Sequence, residues 1–271
     1  MKVLITGGTG RLGRVLNRIL LEESYSTIAL GSKELDLTND FVTDKITRYN
    51  PDYIIHTAAL SSVDKCEKNP DLAFNINTLG TKRVVDAAVK INVPILYIST
   101  DYVFNGQCPP YFEDDEPAPV NIYGDSKFQG EKFVKKVSTA IILRVSWLFG
   151  PEGNDFVEFV LKAEEPIYVI KNQISKPTST VDLSYAILNL IKKEVRGIYH
   201  FANPPQINRL EWVKTILKIN KLNKKIRETN WVDLNLPAKR PLNSTLSTDK
   251  YEGEFEEIRS WVETLKEIRN V

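Results

Sequence analysis

A glycine-rich segment close to the start of the chain constrains the fold more than any other feature of the sequence. Residues 2–6 (KVLIT) are a short apolar run that predicts a buried β-strand, and residues 11–22 carry apolar side chains at helical spacing. TGGTGRLG at 6–13 lies between them and contains two overlapping glycine patterns, G-x-G-x-x-G and G-x-x-G-x-x-G. Such glycines permit a tight turn and let the backbone approach a pyrophosphate, while the helix N-terminus offers free N–H groups. The context predicts a dinucleotide-binding loop containing Gly7, Gly10, Arg11, Leu12 and Gly13.

Apolar runs alternate with amphipathic stretches through the first half of the chain. Continuous apolar strands separated by helices are typical of parallel strands buried on both faces. Right-handed crossovers between them give a doubly wound α/β sheet, the NAD(P)-binding Rossmann fold. The predicted strands are 2–6, 27–30, 52–56, 94–100 and 140–145, and the predicted helices are 11–22, 41–49, 70–91 and 122–137.

The sequence pattern changes after Gly150. We expect residues 1–150 to form the dinucleotide-binding domain, with some later segments returning to it. Residues 151–271 are expected to form mainly a smaller α/β lobe that binds the substrate. Asn208-x-x-Glu211 has the form of a helix-starting capping box. The elements predicted in this part are helices over 156–163, 212–219 and 256–269 and strands over 168–171 and 198–201.

Composition and charge exclude several classes of protein. The chain is 42% hydrophobic and 26% charged with a net charge of +1, so it has no field that would attract nucleic acid or an anionic membrane. No run approaches the length of apolar residues that a transmembrane helix needs. Two cysteines and two histidines are too few for a disulfide framework or a zinc site. We therefore expect a soluble cytoplasmic protein with no metal ligands.

The end of the second predicted strand bears on the choice of cofactor. NAD-dependent enzymes usually place an Asp or Glu there to bind the ribose hydroxyls. Residues 27–30 instead run into Gly31-Ser32-Lys33, with no carboxylate among these three. Ser32, Lys33 and Arg11 could meet a 2′-phosphate, which favours NADPH, with NADH as the alternative. A solvated loop lysine is the competing interpretation of Lys33.

Two residues of the helix predicted over 122–137 have the chemistry for proton transfer. Tyr123 and Lys127 are four positions apart and so share one face of that helix. A nearby ammonium favours the phenolate, so Lys127 is expected to lower the pKa of Tyr123 and let it exchange a proton with a carbonyl oxygen. Thr100 ends the fourth predicted strand, at the edge where ligands bind in such sheets, and its hydroxyl can orient the carbonyl.

These stretches together resemble the extended short-chain dehydrogenases/reductases. The segments that carry this resemblance are TGGTGRLG (6–13), HTAA (56–59), STD (99–101) and YGDSK (123–127). Six stretches dispersed as far as residue 250 resemble more narrowly the dTDP-4-dehydrorhamnose reductases. They are VDKCEKNPDLAFNIN (63–77), STDYVFNG (99–106), NIYGDSKFQGE (121–131), RVSWLFG (144–150), KPTST (176–180) and RPLNSTLSTDK (240–250).

The resemblance implies a reaction and a set of site residues. The reaction is NADPH-dependent reduction of the C4 keto group of dTDP-4-dehydro-L-rhamnose to dTDP-L-rhamnose, and Thr100, Tyr123 and Lys127 take its catalytic roles. Tyr123 and Lys127 also contact the cofactor. The resemblance places further cofactor contacts at Asp36, Leu37, Ala58, Ala59 and Leu60. It places substrate contacts at Tyr102, Val103, Trp147 and Asn243.

Two alternatives stay open. One is another sugar-nucleotide epimerase, dehydratase or reductase of the superfamily, although a dehydratase normally carries a carboxylate pair after the strand-end threonine and Asp101 is followed by Tyr102. The other is a non-catalytic NADP-binding subunit such as the β subunit of methionine adenosyltransferase, against which Thr100 and Trp147 argue. Some members of the resembled family use Mg²⁺ at a dimer contact, which is compatible with a homodimer, but no compact carboxylate cluster here requires the metal.

Overall fold

The computed structural model describes residues 1–153, 155–230 and 233–269 of the chain. Six strands form a central sheet in which every neighbouring pair is parallel, and this confirms the predicted doubly wound α/β fold. Smaller strand pairs lie outside it. In chain order the strands of the described residues are β1 (Lys2–Thr6), β2 (Ser26–Leu30), β3 (Tyr53–His56), β4 (Ile95–Thr100), β5 (Ile141–Val145), β6 (Leu148–Phe149), β7 (Ile167–Ile170), β8 (Ile174–Ser175), β9 (Thr178–Ser179), β10 (Gly197–Phe201), β11 (Ile207–Asn208) and β12 (Ile226–Thr229).

The strand order of the central sheet is β10-β5-β4-β3-β1-β2. The direction of the order changes between β1 and β3, and ligands of open α/β sheets bind at such a switch point. Thr6 pairs with His56, so β1 and β3 end together, whereas Thr100 pairs with Val145 of β5. Because His56 pairs with Tyr97, β4 continues three residues past the end of β3. Thr100 therefore stands beyond the end of its neighbour.

Helices cover both faces of the sheet. Side chains of one strand alternate between two buried clusters, as Leu4 on one side and Val3 and Ile5 on the other illustrate. Helices α1 and α8 lie on one face, and α2, α5 and α6 on the other. In chain order the helices are α1 (Arg11–Glu22), α2 (Val42–Tyr49), α3 (Val63–Lys68), α4 (Pro70–Phe74), α5 (Thr81–Lys90), α6 (Ile122–Val134), α7 (Phe156–Lys162), α8 (Thr180–Lys192), α9 (Arg209–Ile219), α10 (Asp249–Glu254) and α11 (Trp261–Arg269).

The prediction of a helix over 70–91 is confirmed in its extent, but the helix is not a regular α-helix throughout. A π-helical turn, Asn75–Gly80, separates α4 from α5. The apolar periodicity does not register one widened turn, because α5, which follows it, still packs its apolar side chains in the cluster against the sheet. Such turns are frequent at functional sites.

A separate apolar cluster packs segments that lie outside the central sheet. Trp212, Val213 and Ile216 of α9 pack with residues of α7, β7 and α11. Asn208 begins α9 as the capping-box prediction requires, since its Oδ1 accepts a hydrogen bond from the N–H of Glu211 at 2.9 Å. The Glu211 carboxylate accepts from Lys214 and does not accept from the backbone N–H of Asn208, as it would in a complete capping box.

Several segments of the second half differ from the sequence-based expectation. The pattern missed α8, which is buried on most sides and so lacks a clear amphipathic period, and it missed α10. The last helix begins at Trp261 and not near residue 256. Strand β10 belongs to the central sheet and helix α8 packs on it, so these later segments return to the first part of the chain. The division into two domains near residue 150 stays a prediction. No helix within the described ranges is both long and apolar enough to cross a bilayer.

A fully buried ion pair ties α6 to the centre of the sheet. Arg144 of β5 donates from Nε and Nη2 to the two carboxylate oxygens of Glu131, at 2.9 and 2.8 Å, and neither side chain is exposed. Ser99 of β4 donates to the same carboxylate at 2.6 Å. The planar guanidinium and the carboxylate satisfy each other in the bidentate geometry that makes such a pair tolerable in a core.

We predict that Arg144→Met lowers the free energy of unfolding by about 3–5 kcal/mol, because it leaves Glu131 buried without a counter-charge. Urea denaturation measures the change. Lys171→Met, which removes an exposed pair with Glu228, is the matched control and should cost less than about 1 kcal/mol. The double variant Arg144→Met/Glu131→Leu should recover part of the loss. Equal effects of the two single substitutions would contradict this account.

Candidate functional site

A cavity of about 720 Å³ opens at the carboxyl edge of the central sheet. Its walls are formed by the loops after β1, β2 and β3, the end of β4, the start of α6, the segment after β5 and the first residue of α9. Of the residues expected from the sequence, those that line it are Gly7, Gly10, Arg11, Leu12, Gly13, Ser32, Asp36, Leu37, Ala58, Ala59, Leu60, Thr100, Tyr102, Tyr123, Lys127 and Trp147.

Three of the expected residues lie outside the cavity lining. Lys33 is exposed on the loop after β2, where its neighbour Ser32 faces the cavity. Val103 is fully buried against Phe104 and Tyr111, so its side chain packs the core. Asn243 uses its side-chain oxygen within its own turn, where it accepts hydrogen bonds from the N–H and hydroxyl of Thr245.

The loop after β1 is packed so closely that side chains would not fit. Gly7 has a φ of +70°, and a Cβ there would lie 2.8 Å from the Cα of Ala58. A Cβ on Gly8 would lie 2.7 Å from the backbone of Ala29. A Cβ on Gly13 would collide with the carbonyl oxygen of Gly7. Gly10, by contrast, lines the cavity and has only the Gly7 oxygen near its would-be Cβ, at 3.1 Å. The loop therefore keeps an open backbone surface at a helix N-terminus, which fits a pyrophosphate.

The π-helical turn holds the loop after β3. Asn77, within that turn, accepts a hydrogen bond from the N–H of Leu60 at 2.8 Å and donates to its carbonyl oxygen at 3.1 Å. The Asn77 amide also donates to the hydroxyl of Ser126 on α6, at 3.0 Å. The widened turn thus fixes Leu60 relative to the helix that carries Tyr123 and Lys127. Sequence reasoning missed Asn77, because no local pattern distinguishes it from a surface asparagine of a helix.

Tyr123 and Thr100 meet at the floor of the cavity. Both side chains line the cavity, and burial raises the pKa of Tyr123 while the neighbouring Thr100 hydroxyl opposes the rise. Thr100 Oγ1 also accepts from the N–H of Tyr102 at 3.2 Å. The structure brings the two predicted residues together, but the expectation that the pKa of Tyr123 is lowered is wrong. Desolvation outweighs the other effects, and the phenol is held in its protonated form.

Lys127 is buried beside them. Its ammonium nitrogen lies 4.0 Å from the centre of the Tyr97 ring. Burial lowers the pKa of Lys127 to about 7, while the charge of Glu131, one helical turn further on, opposes that shift. The side chain can therefore gain or lose a proton near neutral pH.

Asp101 is a buried carboxylate that sequence reasoning did not place in the site. It accepts hydrogen bonds from Thr100 at 3.1 Å, from Ser175 at 3.2 Å and from Ser244. Burial raises its pKa to about 6 in spite of these donors. Ser175 and Ser244 come from segments 74 and 143 positions away, so the carboxylate joins the end of β4 to the second half of the chain.

Trp147 is held in an unusual conformation at the wall of the cavity. Its φ of +41° lies in the left-handed region, which bulky residues rarely adopt and which often marks a functional site. Its ring stacks on that of Trp212, with centroids 5.2 Å apart. The indole N–H of Trp147 is buried and has no acceptor within the described residues. An unsatisfied donor at the wall of a cavity is suited to binding a ligand.

The three residues that directly follow β2, Gly31, Ser32 and Lys33, include no carboxylate that could bind a ribose. The Glu34 carboxylate turns back to accept from the N–H of Gly31 at 3.0 Å. Asp36 accepts from the N–H and hydroxyl of Thr38, and these bonds lower its pKa. Within the described part of the chain, no group of three or more His, Cys, Asp or Glu residues could hold a metal ion.

Comparison with known proteins gives one consistent result. The family model described as RmlD substrate binding domain matches residues 1–271. A spore coat polysaccharide biosynthesis protein, SpsK, of Bacillus subtilis (strain 168) is 36% identical, over 98% of this chain and 96% of its own. A dTDP-4-dehydrorhamnose reductase of Aggregatibacter actinomycetemcomitans is 35% identical, over 99% and 98%.

A solved structure extends this likeness to three dimensions. The dTDP-4-dehydrorhamnose reductase of Bacillus anthracis str. Ames, crystallised in complex with NADP, is 36% identical and superposes with a TM-score of 0.95, over 99% of this chain and 98% of that one.

We predict that Gly13→Ala weakens NADPH binding at least tenfold, because the added Cβ forces the loop after β1 away from the start of α1. Isothermal titration calorimetry measures the affinity. Gly253→Ala in α10 is the control, since its Cβ would meet nothing within 4 Å and alanine favours a helix. Unchanged NADPH affinity in Gly13→Ala would show that the close packing of this loop does not matter for cofactor binding.

Proposed function

Because the chain belongs to the dTDP-4-dehydrorhamnose reductase (RmlD) family, we propose that it reduces the C4 keto group of dTDP-4-dehydro-L-rhamnose to give dTDP-L-rhamnose, with NADPH as the reductant. The observation that carries this proposal is that Thr100, Tyr123 and Lys127 lie together in the lining of a cavity that also contains the glycine loop. A proton donor and a cofactor-binding loop in one cavity are what a keto reductase needs.

The glycine loop and the ends of β2 and β3 would hold the cofactor. Gly10, Arg11 and Leu12 would lie along the pyrophosphate, and Ala58 to Leu60 beside the rest of the molecule. NADPH supplies the hydride that is added to the carbonyl carbon. The lack of a carboxylate among Gly31, Ser32 and Lys33, directly after β2, and the presence of Ser32 in the lining support NADPH over NADH.

Tyr123 donates the proton that the reduced carbonyl oxygen requires. Its raised pKa keeps the phenol protonated at neutral pH, so a proton is available to the alkoxide that forms when hydride adds to the carbonyl carbon. Thr100 orients the carbonyl oxygen toward Tyr123. Lys127, with a pKa of about 7, can return a proton to the phenolate after the transfer.

The sugar would lie against the second half of the chain. The unsatisfied indole N–H of Trp147 can donate to a sugar hydroxyl. Tyr102, whose hydroxyl accepts from the amide of Gln173 at 2.8 Å, would border the same region. Cys66 and Cys108 are both free, which suits a reducing compartment, and we place the reaction in the cytoplasm.

The proposed reaction is tested by NADPH oxidation with dTDP-4-dehydrorhamnose generated in situ, followed by identification of the product. We predict that Tyr123→Phe lowers turnover by about 10²–10⁴-fold and leaves NADPH affinity nearly unchanged, because only the transferable proton is removed. Tyr185→Phe removes the same hydroxyl from an exposed position on α8 and should retain full activity. Full activity in Tyr123→Phe would refute the assignment of the proton donor, and an inactive wild-type enzyme would refute the reaction.

Cofactor preference is predicted to depend on the charge at the end of β2. Ser32→Asp should raise the dissociation constant for NADPH about tenfold, the equivalent of about 1.4 kcal/mol, through repulsion of the 2′-phosphate, and should not weaken NADH binding. Ser26→Asp places the same charge at the opposite end of the strand and serves as the control. Fluorescence titration with both cofactors measures the constants. Equal losses for NADPH and NADH would argue against a 2′-phosphate site at Ser32.

A further inference from the structure

Arg209 places a positive charge in the cavity, and none of the described residues pairs with it as a counter-ion. Its guanidinium lies over the rings of Trp147, Phe156 and Trp212, with distances to their centres of 3.6, 4.4 and 5.1 Å. Its one hydrogen bond to another described side chain runs from Nε to the amide oxygen of Gln173, at 3.4 Å. No carboxylate of the described residues lies within ion-pair distance of it. The two terminal nitrogens thus remain available to a ligand.

This placement is unfavourable for a residue that serves only the fold. Arg209 is the first residue of α9, where the helix dipole is positive and disfavours a cation. Burial lowers its pKa to about 10, and the charge of Arg240 acts in the same direction. Stacking on aromatic rings offsets part of the desolvation cost of the buried guanidinium. An apolar side chain would fill the same space without any such cost. A cation kept in such surroundings is suited to binding an anion that arrives from solution.

The position of Arg209 in the cavity indicates which anion it binds. Gln173, which accepts from its Nε, also donates to the hydroxyl of Tyr102 at 2.8 Å, so Arg209 lies close to the end of β4, where the keto group is proposed to react. Its ring contacts are with Trp147, Phe156 and Trp212, which share one apolar cluster and do not belong to the glycine loop. It therefore faces the second substrate and not the pyrophosphate of the cofactor. The anionic group of a sugar nucleotide is its diphosphate.

We propose that Arg209 binds the diphosphate of the sugar nucleotide through its two terminal nitrogens. This inference rests on the proposed function for the class of substrate. The planar guanidinium can donate two parallel hydrogen bonds to phosphate oxygens, while the Trp147 ring beneath it fixes its orientation. Binding of the diphosphate then positions the sugar against Trp147 and places the keto group near Thr100 and Tyr123.

The test is a calorimetric titration of the NADPH-saturated protein with dTDP and, separately, with thymidine. Arg209→Met, which keeps a long apolar side chain for stacking, should weaken dTDP binding at least tenfold and leave thymidine binding unchanged. Arg209→Lys keeps the charge without the paired donors and should lie between Arg209→Met and the wild type. Arg227→Met, at an exposed arginine of β12 in the same lobe, should bind dTDP as the wild type does.

Two further measurements separate the possible failures. The affinity of Arg209→Met for NADPH should equal that of the wild type; a loss of NADPH affinity equal to the loss for dTDP would overturn the inference, by assigning Arg209 to the cofactor phosphates or to folding. Unchanged dTDP affinity in Arg209→Met would overturn it directly. Wild-type protein that binds dTDP no better than thymidine would also contradict it. None of these titrations requires turnover, so they are independent of the outcome with the keto sugar.

Discussion

Parallel pairing of the strands is the constraint on which the rest of the structure depends. When β1, β3, β4 and β5 run in one direction, their carboxyl ends must come to one edge of the sheet, whatever follows each of them in sequence. The glycine loop, the loop of Ala58 to Leu60, Thr100 and Trp147 are therefore neighbours although they are spread over 140 residues of sequence. The extra length of β4 carries Thr100 past the end of β3 to reach Tyr123.

Burial then shifts the pKa values of the ionisable side chains at this edge of the sheet. Desolvation disfavours the charged form of a group, and it raises the pKa of Tyr123 and Asp101 while it lowers that of Lys127 and Arg209. The phenol stays protonated, which suits a donor for reduction, and the lysine titrates near neutral pH. The bidentate Glu131–Arg144 pair lies beneath them and keeps a negative charge one turn from Lys127. The apolar interior that holds the fold together is thus also what prepares the site for proton transfer.

The sequence predicts those parts of the site that depend on local patterns. The three-glycine loop and the four-residue spacing of Tyr123 and Lys127 are each contained within one strand–helix or helical unit, so periodicity and spacing suffice to find them. Asp101 and Arg209 acquire their roles from partners far along the chain, and neither residue stands in a pattern that reveals this. The charge of Lys33 suggests a phosphate contact, but Lys33 is exposed outside the cavity lining while Ser32 belongs to it, so this contact stays a prediction. The π-helical turn at Asn75–Gly80 has no signature in apolar periodicity.

The central claim is that this cavity brings the C4 carbonyl of the sugar to the reducing cofactor. It is tested most directly with NADPH deuterated at the transferred position of the nicotinamide ring, incubated with the protein and dTDP-4-dehydro-L-rhamnose. The account predicts one deuterium at C4 of the rhamnose of the product, seen by mass spectrometry and NMR. A sugar product with no deuterium, or with deuterium at another carbon, would contradict it.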